Sequence, residues 1–478
     1  MVRSVGRVAW LVVVVASALV ACKAPPPPPP PPMTGQRPPA AVAAEAERER
    51  EALAAAVGAY VYGYPLVSSE LARRSATNVE RPNGWQAPMG QLARPHALER
   101  SDAGGRDSDP DTLAFGAWLD VTAEPLLLSI PDTRGGFLAL AIRSAWQERL
   151  YFPTARAGKG PAARLAVTGP GWSGKLPAGV REVRSPTALV HVEGRVLAAG
   201  GPTELREAQA WVDKLSLLPL SAHPKKYQPP LGRPDASLAA DRPVREQVHA
   251  LDAVIYFKLL ATLLKANRPA PGDANLLPML ARIGLVPGKD YDPSGLDASV
   301  IKALAGVPKA AQEKILAAAA PAAPVNGWSV PGAAAPPPGP LGRAAVVAVG
   351  VDRELEGVVL TAAVDGAGRP LDGTTQRALR FTRGKGPPAE ALWTLSVAGA
   401  PGAKAGRATL TSRAKFTYGR DGSLELLLQP DPPKGREANW LQVPAGAYAL
   451  VLRLHGPREK APSALDGSWR PPAVGKPR

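Results

Sequence analysis

The first 22 residues constrain this chain more than any other segment. Arg3 and Arg7 precede the apolar run WLVVVVASALV, which is followed directly by Cys22. A basic start, a short apolar stretch and small residues at a cut point are typical of an export signal. The sequence therefore predicts a signal peptide over 1–21, removed in front of Cys22. An uncut membrane anchor is the second interpretation, but about a dozen apolar residues fall short of the roughly 20 that span a bilayer.

Cys22 is the single cysteine of the chain, and it stands where export signals of lipoproteins place the acylated residue. We therefore expect a lipid on Cys22, with a chance cysteine as the alternative. One cysteine per chain allows neither an internal disulfide nor a cysteine metal site, so the exported domains must rely on their cores. Lys23 rather than an aspartate follows Cys22, which favours the outer membrane and a periplasmic or outer-surface location.

An unbroken proline run from Pro25 to Pro32 follows the lipidation position. Proline cannot donate backbone hydrogen bonds and favours the extended polyproline helix. At about 3.1 Å per residue, eight prolines span roughly 25 Å. We predict a stalk over 22–43 between the lipid and the folded body.

The charge and composition restrict the partners. A formal charge of +16 invites a nucleic-acid function, but the basic residues are dispersed and aromatic residues make up only 5%. Nucleic-acid surfaces concentrate Lys and Arg on one face. We therefore expect no nucleic-acid partner, and predict the bilayer, reached through the acyl anchor, with envelope polysaccharide, lipid or protein as further candidates.

The hydrophobic pattern predicts an α+β protein, mainly β, with two antiparallel β-sandwiches and a helical module between them. Strands are expected in the region 113–196 and again after 358, and helices over 43–60, over 203–217 and as one long segment from Val244 to Leu263. The predicted domains are a β-sandwich with a leading helix over 44–222, a helical module over 223–325, a linker over 326–340 and a jelly-roll-like sandwich over 341–478.

Several strings resemble a known pair of domains. GYPLV (63–67), PDTLAFGAWLD (110–120), EPLLLSIPDT (124–133) and LSLLPLS (215–221) resemble the N-terminal domain of unknown function 1254. ANWLQVPAGAYALVLRLHGP (438–457) and LDGSWRPP (465–472) are similar to its usual partner, the domain of unknown function 1214. The resemblance implies a β-sandwich followed by a helical module and a jelly-roll-like sandwich, and no particular activity.

The chain departs from that family at polar positions. Where members commonly carry Asn-Val-Asp-Thr-Leu-Tyr, this chain has DPDTLA (109–114), and Ser144 replaces an aspartate common in the family. If those polar residues formed a site, this chain has lost part of it, so the resemblance favours catalysis less here than in the family.

A search for catalytic patterns finds no GxSxG elbow, HExxH helix, Walker loop or GxGxxG turn in the sequence. Asp107, Asp109 and Asp111 alternate as a calcium loop would, but Thr112 stands where that loop needs glycine. A solvated turn is the favoured interpretation. We keep Asp111, Asp120 and Arg143 as candidate catalytic residues, and expect neither a metal site nor a cofactor, because no two histidines are spaced as ligands.

Tryptophans offer the other candidate contacts. Trp118, Trp146 and Trp440 recur in the family-like strings and could stack on a sugar or an apolar ligand, although core packing explains most buried tryptophans. Two functions remain. The first, which we favour, is a non-catalytic envelope binding or interaction lipoprotein. The second is an exported hydrolase-like enzyme with a carboxylate site in the N-terminal domain or between the domains.

Overall fold

The computed structural model describes most of the chain beyond the predicted stalk. The described ranges are 38–98, 109–133, 136–153, 162–238, 242–269, 271–320, 323–329, 337–350, 357–398 and 408–478. The chain divides into two compact units, Met1–Glu47 and Arg48–Arg478. The described part of the first unit is the beginning of one helix, and both sandwiches and the helical module belong to the second. The predicted signal peptide, Cys22 and the proline run lie outside the described residues.

Helix α1 (Pro39–Thr77) is longer than the sequence predicts. The prediction ended it near Gly63-Tyr64-Pro65, yet Pro65 lies inside it. Burial outweighs the helix-breaking residues. Tyr60, Tyr62 and Tyr64 are all almost fully buried, and a Cβ on Gly63 would stand 2.4 Å from Leu260 Cδ2. The glycine therefore allows a close helix–helix contact rather than ending the helix.

The N-terminal sandwich contains eight strands and helix α2 (Pro202–Val212). The strands are β1 (Thr112–Asp120), β2 (Leu126–Ile130), β3 (Leu138–Ser144), β4 (Arg149–Tyr151), β5 (Ala163–Thr168), β6 (Arg181–Arg184), β7 (Leu189–Leu197) and β8 (Ser216–Pro219). One sheet has the order β1-β7-β3-β4 and the other β6-β5-β2-β8, and of the pairs within the described ranges only β5–β6 is parallel. The helix predicted to reach Leu217 ends at Val212, because residues 216–219 pair with β2 instead.

Every second side chain along these strands points into one shared hydrophobic core. Leu113, Leu140 and Val192 from the first sheet pack with Leu128 and Val167 from the second. Because side chains alternate across a strand, the residues between them point to the opposite face of the first sheet. We call that opposite face the outer face.

Among the described residues, the helical module contains six α-helices that share one hydrophobic core with α1. They are α3 (Val244–His249), α4 (Ala253–Ala266), α5 (Leu277–Arg282), α6 (Ala298–Leu304), α7 (Val307–Ala318) and α8 (Pro340–Val349). The single long helix predicted from Val244 is wrong. It breaks at Asp252, whose carboxylate accepts from Ile255 N at 2.9 Å and caps α4.

The C-terminal sandwich combines a five-stranded and a four-stranded sheet. Its strands are β9 (Trp328–Ser329), β10 (Val358–Ala362), β11 (Arg377–Phe381), β12 (Ala389–Ala398), β13 (Thr409–Thr411), β14 (Leu424–Gln429), β15 (Trp440–Gln442), β16 (Ala449–Pro457) and β17 (Val474–Gly475). The sheet orders are β13-β12-β16-β10-β9 and β15-β14-β11-β17. Among the strands of this sandwich that the structure describes, only β14 and β15 pair in parallel.

The described residues of the predicted linker are divided between the C-terminal sandwich and the helical module. Trp328 and Ser329 form β9, which pairs with β10 of the C-terminal sandwich. The C-terminal sandwich was predicted to begin at 341, but the residues from there to Val349 belong to α8, whose Ala344 and Ala348 are buried in the helical core. The leading helix α1 also packs there rather than on the N-terminal sandwich alone.

The α+β class and the two antiparallel-dominated sandwiches are confirmed. Helix makes up 30% and strand 26% of the described residues, so the helical share is larger than the sequence predicted. Among the described residues, no helix is both long and apolar enough to span a bilayer.

Candidate functional site

The outer face of the N-terminal sheet carries charged residues on its central strand and small residues on both neighbours. In β7, Glu193 lies between Gly116 of β1 and Ala141 of β3, and Arg195 lies between Ala114 and Ala139. Long charged side chains can lie across such small neighbours without steric conflict. These positions therefore allow another domain to pack closely against the sheet.

The C-terminal sandwich packs on this face. Leu392 of β12 joins Phe137, Ala139, Ala141 and Leu197 in one buried cluster. In β12 and β16, the side chains on the other face of the sheet, such as Leu395 and Leu452, fill the core of the C-terminal sandwich. The two domains thus meet sheet to sheet, and the four sheets form a stack. A second contact joins Arg413 Nη1 to both carboxylate oxygens of Glu204, each at 2.9 Å.

Three polar residues on the outer face form what we call the polar row: Arg143, His191 and Glu193. Arg143 Nε donates to Glu193 Oε1 at 2.9 Å. The His191 ring stacks on Trp118 with 4.2 Å between centroids. The Glu193 side chain keeps 29% of its surface exposed. Arg143 is buried, whereas His191 and Glu193 are half-buried, so these two side chains give solvent or a ligand access to the row.

The electrostatics of the row follow from burial and from its own charges. Burial would raise the pKa of Glu193, but His191 and Arg143 together hold it below its ordinary value. Burial lowers the pKa of His191, and Arg143 lowers it further against the opposing effect of Glu193. At neutral pH the row therefore presents a carboxylate, a guanidinium and a neutral imidazole.

The residues before β1 form a buried turn instead of the solvated one predicted. Asp109 Oδ1 accepts from Asp111 N at 3.0 Å, and Asp109 Oδ2 accepts from Thr112 Oγ1 at 2.6 Å. Both aspartates are buried. The solvated-turn interpretation is wrong for these two residues, because the C-terminal sandwich covers them. Asp107 lies outside the described residues.

Asp111 connects the two sandwiches. Its Oδ2 accepts from Thr394 Oγ1 at 2.7 Å and lies 3.2 Å from His455 Nε2. His455 Nδ1 lies 3.9 Å from Asp109 Oδ2. We call Asp109, Asp111, Thr394 and His455 the interdomain cluster. Each ring nitrogen of His455 therefore faces a carboxylate of the other domain.

Competing effects set the pKa of Asp111. Burial would raise it, but the hydrogen bond from His455 and the charge of that ring, the Thr394 hydroxyl and Arg453 lower it below its ordinary value. The carboxylate is therefore ionised at neutral pH although it is buried.

One carboxylate oxygen from each aspartate and one nitrogen of His455 lie within 4.8 Å of one another, so three donors could in principle meet at one ion. The surrounding charges oppose this. Arg195 Nη1 lies 3.8 Å from Asp109 Oδ2, and Arg453 acts on Asp111. Two arginines already balance the two aspartates, so a dication would add uncompensated buried charge. The donors fit a hydrogen-bonded contact between domains better than a metal centre.

The structure does not bring the three candidate catalytic residues together. Asp111 and Asp120 lie at opposite ends of β1, which at about 3.3 Å per residue separates them by roughly 30 Å. Asp120 is exposed and accepts from Thr122 Oγ1 at 2.5 Å. Arg143 belongs to the polar row. Asp111 and Asp120 therefore do not form a carboxylate pair.

The three candidate tryptophans are buried. Trp146 Nε1 donates to Arg268 O at 3.2 Å, and Trp440 Nε1 donates to Gln429 O at 2.8 Å. Trp118 is 7% exposed beneath His191. None of the three presents an open face for stacking, so core packing accounts for them.

His455 is the residue that sequence reasoning missed, since it lies 344 positions from its partner Asp111. A signal was present in β16. In this strand, leucines at 450, 452 and 454 point to one face, and Arg453 and His455 point to the other. Two polar residues on the same face of an otherwise apolar strand indicate a polar contact there.

Comparisons with known proteins agree with this architecture. Residues 91–219 match the family described as Protein of unknown function (DUF1254), and residues 356–459 match Protein of unknown function (DUF1214). The chain has the DUF1254–DUF1214 architecture. The interdomain cluster therefore joins the two halves of a DUF1254–DUF1214 protein, with its aspartates in the first domain and Thr394 and His455 in the second.

The fold has a solved relative. The VPA0106 protein of Vibrio parahaemolyticus is 21% identical, with a TM-score of 0.63, over 89% of this chain and 100% of that one. An uncharacterized protein of Burkholderia cenocepacia is 11% identical, with a TM-score of 0.35, over 91% and 95% of the two chains. The first supports the fold of this DUF1254–DUF1214 chain and no activity. No curated protein matches the sequence.

Proposed function

We propose that this DUF1254–DUF1214 protein is an exported, lipid-anchored binding protein that acts without catalysis, with carbohydrate, lipid or protein of the cell envelope as its ligand. The hydrogen bonds within the interdomain cluster are the observation that supports a function without catalysis. Asp111 is the strongest catalytic candidate, but its carboxylate is hydrogen-bonded to Thr394 and His455 of the other domain.

The geometry of His455 supports the same conclusion. A general base must place one nitrogen within hydrogen-bond reach of a substrate proton. Both nitrogens of His455 face aspartates, and the residue is 1% exposed. The cluster is arranged to hold two domains together.

The polar row supplies the binding surface. Glu193 and Arg143 are ion-paired, and the Glu193 side chain remains partly exposed beside a domain contact. Carboxylate and guanidinium groups with fixed partners are suited to hydrogen-bonding a polar ligand without large loss of side-chain entropy. Contacts between domains are also where ligand sites concentrate.

The anchoring part of the proposal rests on the sequence around Cys22 and is tested by acylation. Full-length protein expressed in a Gram-negative host with an alkyne fatty acid should carry the label, and Cys22→Ser should lose it. Lys23→Ser, one residue away, should keep the label as a matched control. Labelling of Cys22→Ser, or none in the wild type, would overturn lipid anchoring.

The binding part is tested with the soluble body, residues 44–478, incubated with envelope extract and examined by native mass spectrometry. We expect an additional retained mass that Glu193→Gln weakens. Glu182→Gln, on the edge strand β6 of the other sheet, should leave it unchanged. A bare mass in every sample would count against a ligand-binding role.

A hydrolase remains the second candidate, because Asp111, His455 and Thr394 place a carboxylate, an imidazole and a hydroxyl in one cluster. In a nucleophile–base pair the imidazole bonds to the hydroxyl. Here the carboxylate bonds to both, which leaves the hydroxyl without a base. If any envelope substrate is turned over, Asp111→Asn distinguishes the two ideas, since loss of turnover without unfolding would support the hydrolase.

A further inference from the structure

A groove in the helical module, away from the polar row, has the features of a ligand site. It is open to solvent and has a volume of about 530 Å³ between the start of α4, the turn at Pro293 and the end of α6. Ligand pockets in proteins typically hold about 300–1,000 Å³ and are mostly apolar with a few placed polar groups. We call it the module groove.

The floor of the module groove is apolar. Ala253 and Val254 of α4 face Leu304 and Ala305 at the end of α6. Ile301, which also lines the groove, keeps 47% of its surface exposed. An isoleucine left half-uncovered at the edge of an apolar floor gains free energy when an apolar group covers it.

Three charged side chains, Asp252, Asp292 and Lys258, line the module groove. Asp252 Oδ1 accepts from Ile255 N at 2.9 Å and caps α4, and Asp292 Oδ1 accepts from Ser294 N at 3.0 Å. These hydrogen bonds hold both carboxylates in fixed orientations in the lining.

The charges of the lining sum to one negative unit, with two carboxylates and one ammonium. The hydrogen bonds from Ser294 lower the pKa of Asp292, and Lys258 lowers it further, so Asp292 is ionised. The lining is acidic in a chain whose formal charge is +16. A ligand that complements it carries one positive charge next to an apolar part.

We propose that the module groove binds small amphiphilic amines, with the hydrocarbon part on the apolar floor and the ammonium at Asp252 and Asp292. The ammonium donates to these carboxylates, and the hydrocarbon covers Ile301. The site is distinct from the polar row and does not depend on the function proposed for that surface.

The test compares n-octylamine, n-octanol and n-octanoate by isothermal titration calorimetry with residues 44–478 at low salt. We expect saturable binding of the amine, weaker binding of the alcohol and the weakest binding of the carboxylate. Asp252→Asn and Asp292→Asn keep a capping side chain and should each weaken only the amine, by about two- to five-fold, as for exposed ion pairs. Ile301→Ala should weaken the amine and the alcohol alike.

Asp297→Asn is the matched control, because Asp297 also caps a short helix through Ser299 N, at 2.8 Å, but does not line the groove. It should bind the amine as the wild type does. The proposal is wrong if octanoate binds as well as octylamine, if the control variant weakens binding as much as Asp252→Asn, or if no probe binds saturably.

Discussion

Replacing Asp111 by Asn should weaken the contact between the two sandwiches in a pH-dependent way. Asparagine keeps the shape and can still accept from Thr394, but it removes the negative charge beside His455. Hydrogen bonds to charged groups contribute about 1.5–3 kcal/mol each. Since the His455 contact lies in a nearly water-free site, we expect Asp111→Asn to lower the free energy of unfolding by about 2 kcal/mol at pH 7.

The pH dependence follows from the lowered pKa of Asp111. The unfolded chain binds a proton at the ordinary value of 3.8 and the native chain binds it only at lower pH. Stabilisation by this group is therefore complete well above 3.8 and is lost as pH falls through the native pKa. The difference in stability between wild type and Asp111→Asn should accordingly shrink as pH falls from 6 to below 3.

The assay is urea unfolding of residues 44–478, followed by tryptophan fluorescence at a series of pH values. Asp120→Asn makes the same chemical change at the exposed end of the same strand, and should change stability by less than about 0.5 kcal/mol at pH 7. A destabilisation by Asp111→Asn that stays constant across this pH range would refute an ionised carboxylate in the cluster. Equal effects of the two variants would refute its role between the domains.

Two further substitutions test the packing around α1. Gly63→Ala should lose about 1–3 kcal/mol in chemical unfolding because its Cβ would meet the fully buried Leu260, whereas Gly58→Ala meets only the flexible end of Met279 and should be near neutral. A stabilising Gly63→Ala would show that the helices are not in close contact. Trp146→Phe removes the hydrogen bond to Arg268 O and should lower the thermal midpoint by an amount corresponding to about 1 kcal/mol. Trp85→Phe, at a residue that is 47% exposed, should leave the midpoint unchanged. Equal shifts in the two variants would contradict a stabilising hydrogen bond at Trp146.

The sequence predicted the architecture because alternation and helical periodicity report which side of each element is buried. It failed where tertiary contacts outweigh local signals. Gly63 and Pro65 look like a helix end, yet packing on α4 carries α1 through them. The break at Asp252 was hidden because the apolar stripe continues on both sides of it. In both places the local residues give a weaker signal than the neighbours they contact in space.

The candidate site was only partly accessible from sequence. Asp111 was identified, because it lies in a recognisable string, but its environment depends on Thr394 and His455, which are brought to it by the packing of two domains. Asp109 and Asp111 were expected to be solvated because a Pro- and Asp-rich turn usually is. No local pattern states that another sheet will cover that turn.

The small and charged residues of the outer face also limit how this domain pair can vary. Separated from its partner, the C-terminal sandwich would expose Leu392 and His455, and the N-terminal one would lose the donors that face its buried aspartates. A first domain combined with the second domain of another chain would meet charges at unmatched positions, at a cost of several kcal/mol per unpaired buried ion. The two domains are therefore expected to change together as one heritable unit, with substitutions at Asp109 and Asp111 answered by substitutions on β12 and β16.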